Sequence, residues 1–135
     1  MSYPVRPIGH VRSALRDPAQ APRQGDEGAP RARVVIEPAF ARGMADLQSG
    51  TEVVVLTWLH LARRDELVTR PRDDPARPER GVFSTRSPHR PNPIGLHRVR
   101  IVAISGNEIE VTGLEAVDGT PVVDVKPVLR GLAER

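Results

Sequence analysis

The 135 residues carry a formal charge of +3, fourteen prolines, no cysteine and four aromatic side chains, Tyr3, Phe40, Trp58 and Phe83. That length suits one domain, 1–135, with a modest core; the absence of thiols excludes disulfides, thiolate nucleophiles and cysteine zinc knuckles, and four aromatics are too few for a base-stacking platform. No run of about twenty apolar residues is present to span a membrane, and MSYPVRPIGH at the amino terminus lacks the apolar centre of a signal peptide, so a cytoplasmic protein is expected.

Three segments of the first half read as strands: 4–13 around IGHVRS, 33–36 (RVVI), and 51–61, whose Val53-Val54-Val55-Leu56 run is apolar enough for burial on both faces. Between the last two, Phe40, Met44 and Leu47 recur at helical spacing, Pro38 stands near the first turn and Gly50 follows. This predicts one short amphipathic helix with its stripe in the core. Residues 16–31 and 70–80 are rich in proline, glycine and charge and read as long loops, a length typical of binding loops or lids. After residue 96, runs at 99–104 and 109–114 flank the turn sequence Ser105-Gly106-Asn107-Glu108, a hairpin pattern, and 121–125 closes the set. The fold class expected is mainly β: a single-domain antiparallel β-barrel with one or two short helices and long loops.

Residues 81–96, GVFSTRSPHRPNPIGL, are the most distinctive stretch. Pro88, Pro91 and Pro93 fix φ, remove donors and push the preceding residues toward extended backbone, which predicts a rigid, non-helical loop. Arg86 and Arg90, with Ser84, Thr85, Ser87 and Asn92, are groups suited to a carboxylate, hydroxyl or phosphate; the alternative is a proline-rich turn with solvated arginines. Residues 61–100 carry ten arginines against five acids, while 101–135 carry three basic residues against six acids. A field concentrated in this way draws a polyanion, although an arginine-rich chain with one lysine also arises from genome base composition. His10, His60, His89 and His97 lack metal-ligand spacing, so no metal is expected.

SPHRPNPIGL at 87–96, followed by DGTPVVDVKP at 118–127 and preceded by IGHVRS at 8–13 and PRQG at 22–25, resembles the TsaA-like, or TrmO, family. The resemblance runs through nearly the whole chain, in order. It implies a dimeric β-barrel, unlike the Rossmann-type methyltransferases, that uses S-adenosylmethionine to methylate N6 of threonylcarbamoyl-adenosine beside the anticodon of tRNA. It also implies cofactor contacts from Arg23, Gln24 and the backbone of Gly25, from His60 and Leu61, from Arg86 as a polar anchor and Leu96 as an apolar wall, and from Gly113, Leu114 and Glu115. Arg90 and Asn92 are candidates for contacts to RNA or to loop structure, and Lys126 for a place near the substrate entrance. Asp118, with Gly119 and Thr120, is expected to fix the turn that shapes the pocket; the candidate bases are His60, Asp118 and His97, in that order.

The chain departs from the family pattern at His97, where serine is common, and at Val128 and Arg130, where tyrosine and proline are common. Longer members carry a C-terminal extension, a candidate tRNA-binding element, beyond the point matching Arg135. The alternatives are a methyltransferase of this fold acting on a small molecule or another RNA, and a catalytically silent barrel that binds S-adenosylmethionine or RNA.

Overall fold

Alternation of side chains along a strand decides which residues enter a core, and the 12-residue strand at the centre of this chain shows it: Gly95, His97, Val99 and Ile101 turn inward while Leu96, Arg98 and Arg100 face out. The computed structural model describes residues 1–17, 31–70 and 74–129. Its strands are β1 (Gly9–Arg12), β2 (Ala32–Ile36), β3 (Glu52–Trp58), β4 (Val68–Thr69), β5 (Arg80–Gly81), β6 (Ile94–Ser105), β7 (Glu108–Thr112) and β8 (Pro121–Pro127). Six of them form a closed antiparallel barrel in the order β1-β2-β7-β6-β3-β8, with β8 returning to β1. The β6–β7 hairpin predicted around residues 105–108 is present.

β-branched residues fill the barrel: Val11, Val34, Ile36, Val53, Val55, Val99, Ile101, Ile109, Val111 and Val122 pack with Leu114 into one cluster. Val53, Val54 and Val55 are all buried, as the apolar run predicts. Val54 points outward and is covered by its cross-strand neighbours Arg98 and Lys126, whose long aliphatic stems can shield apolar surface. β6 serves two ladders, pairing β3 from Ile94 to Arg100 and β7 from Arg100 to Ser105, with a register shift between Ile101 and Ala103 that lets it bend from one to the other.

The seam that closes the ring is short. Only Gly9↔Val122 and His10↔Pro121 pair β1 with β8, extended by the Ile8 amide to the Val122 carbonyl at 2.8 Å and the Val11 amide to the Thr120 carbonyl at 2.9 Å. On its other edge β1 meets β2 so closely at Gly9 that a Cβ there would stand 2.1 Å from the Val35 carbonyl oxygen.

The helix expected around Phe40 is a 3₁₀ helix over Pro38–Met44 with none of its residues fully buried. The Phe40 amide reaches the Glu37 carbonyl and the Leu47 amide the Met44 carbonyl, each three residues back. With three residues per turn, positions i, i+4 and i+7 no longer align as one stripe, so Phe40, Met44 and Leu47 cover the rim of the core. β1 and β3 are shorter than the ranges 4–13 and 51–61, and β6 begins at Ile94, well before residue 99. A two-residue β4–β5 ladder brackets the 70–80 loop, and a second 3₁₀ turn spans Val82–Ser84. No helix among the described residues is long and apolar enough to cross a membrane.

Candidate functional site

Register decides which end of the barrel each candidate occupies. Thr57 pairs with Gly95 and Trp58 with Ile94, so β3 ends where β6 begins. Arg100 pairs with Thr112 and His10 with Pro121, which brings the end of β7 and the start of β8 to that same end. Three pairs of strand ends therefore share one mouth: the end of β1 with the start of β2, the end of β3 with the start of β6, and the end of β7 with the start of β8, the last pair joined by 113–120. The structure brings His60, Leu61, Arg86, Arg90, Asn92, Leu96, Gly113, Leu114, Glu115 and Asp118 to these strand ends or the segments beside them. Arg23, Gln24 and Gly25 lie outside the described residues. Lys126 is elsewhere, on the distal half of β8 opposite Val54, paired with Asp124 at 3.2 Å.

The loop 59–93 is held by its own polar groups. The Leu59 amide donates to the Pro93 carbonyl at 2.8 Å, the Arg90 amide to the Arg63 carbonyl at 3.2 Å, and the Arg63 amide to His89 Nδ1 at 2.9 Å. Arg64 sends Nε to the Pro91 carbonyl and Nη2 to Asn92 Oδ1, with its guanidinium 5.0 Å from the Trp58 ring centroid, close enough for a cation–π contact. Arg90 Nη1 donates to the Thr85 and Ser87 carbonyls at 3.0 and 3.1 Å. Prolines leave carbonyls without the neighbouring donors a strand would offer, and two arginines fill that need. Of the two readings open for Arg90 and Asn92, loop structure is visible directly. Arg86 differs: it is exposed and makes no ion pair or hydrogen bond among the described residues.

His60 and Leu61 turn the chain after β3, closed by the Ala62 amide to the Leu59 carbonyl, and both side chains are exposed. Leu96 lies on the outer face opposite Leu56. Leu114 is fully buried, backbone included, in the core cluster, and Gly113 holds φ at 91°, a conformation other residues rarely adopt. Asp118 ties the 113–120 connection to the end of β1: its Oδ1 accepts from the Ser13 amide at 2.9 Å, its amide donates to the Leu15 carbonyl at 2.6 Å, and Arg16 stands 3.3 Å from Oδ2.

Inside the mouth is a polar chain of which the sequence offered His97 and Glu115 as separate candidates and Thr57 not at all. His97, 4% exposed, stands between Thr57, with Oγ1 2.7 Å from Nε2, and Glu115, with Oε1 2.7 Å from Nδ1. Gly95 makes room for it, since a Cβ there would lie 2.3 Å from Thr57 Oγ1 and 2.6 Å from His97 Nε2. The signals were a threonine at the inward position of VVVLTW and a glycine inside a strand, which often marks close approach. Among the described residues, no three His, Asp or Glu side chains converge as a metal site would need.

Fold and site together define a small antiparallel barrel with a loop-built polar mouth. Residues 10–132 match the family described as the tRNA-methyltransferase O N-terminal domain. An Archaeoglobus fulgidus protein named a probable S-adenosyl-L-methionine-binding protein is 43% identical over 94% of this chain and 34% of its own length. A second protein from that organism, named an S-adenosyl-L-methionine-binding protein, is 40% identical over 90% of this chain and 86% of its own. The crystal structure of TrmO from Pseudomonas aeruginosa superposes with a TM-score of 0.76 at 30% identity, covering all of this chain and 61% of that one. The chain belongs to the tRNA-methyltransferase O N-terminal domain family.

Proposed function

We propose that this chain, a single domain over 1–135, binds S-adenosylmethionine at the barrel mouth and methylates N6 of threonylcarbamoyl-adenosine beside the anticodon of tRNA, in the cytoplasm, as a two-fold homodimer. The observation that carries the reading is the register that brings His60, Leu61, Leu96, Gly113 and Glu115 to one end, with the loop bearing Arg86 rooted in that end at both termini. Family membership and the names of the relatives support it.

The residues present fit the cofactor. Arg86 has an unoccupied donor fork for the methionyl carboxylate, Leu61 and Leu96 offer exposed apolar surface for the adenosine, and the partly exposed Gly113 and Glu115 would supply backbone carbonyls for the cationic end. When bound, the cofactor supplies an activated methyl group on a sulfur that leaves as a neutral thioether. The protein then has to align nucleophile, methyl and sulfur and exclude water, effects that can contribute about 7–11 kcal/mol in favourable cases. On the outer side of the same end, a cavity of about 360 Å³ is lined by Arg12, Arg31, Arg33 and Glu110. Arg12 faces Arg33 across β1–β2 and has no ion pair among the described residues, which adds to the field a polyanion meets.

Beyond Leu61 and Leu96, large apolar side chains are exposed at Leu67, Val68, Phe83 and Ile94, all in or beside the 59–93 connection. Apolar surface gathered in this way marks an interaction face, here assigned to the second subunit. Light scattering should give twice the 14.8 kDa chain mass; a monomer at micromolar concentration contradicts the dimer.

Mass spectrometry of tRNA nucleosides tests the acceptor. Cells lacking the protein should lose the methylated form of threonylcarbamoyl-adenosine and accumulate its precursor, and the purified protein should restore it. A second reading, methylation of a small molecule or another RNA, is favoured by the internal use of Arg64 and Arg90, which leaves fewer donors in this loop for phosphate. Cofactor consumption with unchanged tRNA nucleosides selects it, and cofactor binding without consumption selects a silent barrel.

A further inference from the structure

The buried chain Thr57–His97–Glu115 runs from the barrel interior to the mouth. An ionised carboxylate only accepts hydrogen bonds, so the 2.7 Å contact at Glu115 Oε1 requires His97 Nδ1 to carry a proton. In the neutral ring Nε2 is then an acceptor, and Thr57, fully buried, donates its hydroxyl to it at 2.7 Å. Both ring nitrogens are satisfied, and no buried side-chain polar atom among the described residues is orphaned. Glu115 itself is 17% exposed, so it is the one member of the chain that opens onto the mouth.

We infer that Glu115 is the catalytic base, and that His97 and Thr57 are positioning residues that hold its carboxylate aimed at the mouth. The inference rests on the methyltransferase reading above. A nitrogen bearing an acyl group is a weak nucleophile and must lose its proton as the methyl group arrives. In the step, the N–H bond breaks and its electron pair remains on nitrogen; the new N–C bond forms as the C–S bond breaks with its pair on sulfur, and the proton binds the free Glu115 oxygen. His97 stabilises the carboxylate before the step through Nδ1–H, much as a buried partner orients a general base elsewhere. His60 is exposed and makes no hydrogen bond among the described residues, and the Asp118 carboxylate is engaged by the Ser13 amide and Arg16. Neither has this arrangement.

Two measurements test the inference. Glu115→Gln keeps the shape and an acceptor for His97 but cannot take a proton. It should bind S-adenosylmethionine within about twofold of the parent by calorimetry and lose 10²- to 10⁴-fold in kcat on tRNA bearing threonylcarbamoyl-adenosine, the range for removing a general base. Thr57→Val should lower kcat about tenfold with KM for the cofactor unchanged, and Thr57→Ser should recover the loss. Weaker cofactor binding with kcat intact at saturation overturns the inference and makes Glu115 a counter-ion. Independently of any acceptor, ¹⁵N NMR of the imidazole should show His97 protonated at Nδ1 and bare at Nε2, with the pattern altered in Glu115→Gln. The opposite tautomer reverses the chain and overturns the inference. Parent protein inactive on every tRNA but consuming cofactor with another acceptor sinks the tRNA reading alone, and the Glu115→Gln loss is then read on that acceptor; no consumption with any acceptor overturns the base assignment.

Discussion

Gly9→Ala should be among the most damaging single substitutions in the chain, costing about 3 kcal/mol in urea denaturation, the upper end of the usual overpacking penalty. The added Cβ would stand 2.1 Å from the Val35 carbonyl oxygen and 3.0 Å from its carbon. Those are backbone atoms and no rotamer change can withdraw them, so β1 must move away from β2. β1 has little holding it on its other edge, where two residue pairs form the ladder to β8. A loss of that size is a large part of the roughly 5–15 kcal/mol that stabilises a typical domain. Gly43→Ala is the control: nothing lies within 4 Å of its Cβ position, and its stability should change by no more than about 0.5–1 kcal/mol. Equal stability of Gly9→Ala and parent would show that the β1–β2 contact is looser than described.

Arg86→Ala should bind S-adenosylmethionine about 10- to 100-fold more weakly while melting with the parent. A hydrogen bond to a charged group contributes about 1.5–3 kcal/mol, and each 1.4 kcal/mol is tenfold in affinity. Because Arg86 is exposed and makes no bond to the described residues, its removal orphans nothing, and the stability change should stay within about 0.5 kcal/mol. Calorimetry and a thermal melt read the two quantities separately. Unchanged affinity in the folded variant removes Arg86 from the site. Arg64→Ala should do the converse, loosening the loop by freeing the Pro91 carbonyl and Asn92.

Where a property follows from alternation or from proline, the sequence displayed it. The inward Val and Ile residues of β2, β3, β6 and β7, the hairpin at 105–108 and the stiff, non-helical backbone before Ile94 are of this kind. Glu115 and Asp118 were legible as site candidates through the family motif, while their geometric partners were not. Thr57 sits 40 residues from His97, and Glu115 another 18 beyond it; only barrel closure makes them neighbours. The Phe40 stripe misled because helical spacing in sequence does not distinguish a 3.6-residue turn from a 3₁₀ segment whose ends are fixed elsewhere, here by the Glu37 amide bonding to the Ile8 carbonyl. The family resemblance implied a place near the substrate entrance for Lys126, but an extended strand covers about 3.3 Å per residue and carries it along β8 toward the other end of the barrel.

The arginines of the 59–93 connection have a kinetic consequence. Arg64 and Arg90 are cations that each make two hydrogen bonds within the loop, Arg64 to Pro91 and Asn92 and Arg90 to Thr85 and Ser87. Their field still reaches an approaching polyanion, but much of their directional bonding is already committed. Such groups hasten encounter and orient it without fastening the partner afterwards. For the proposed tRNA acceptor, capture at this face is expected to be fast and salt-sensitive, with residence set by the few groups still free to close on it.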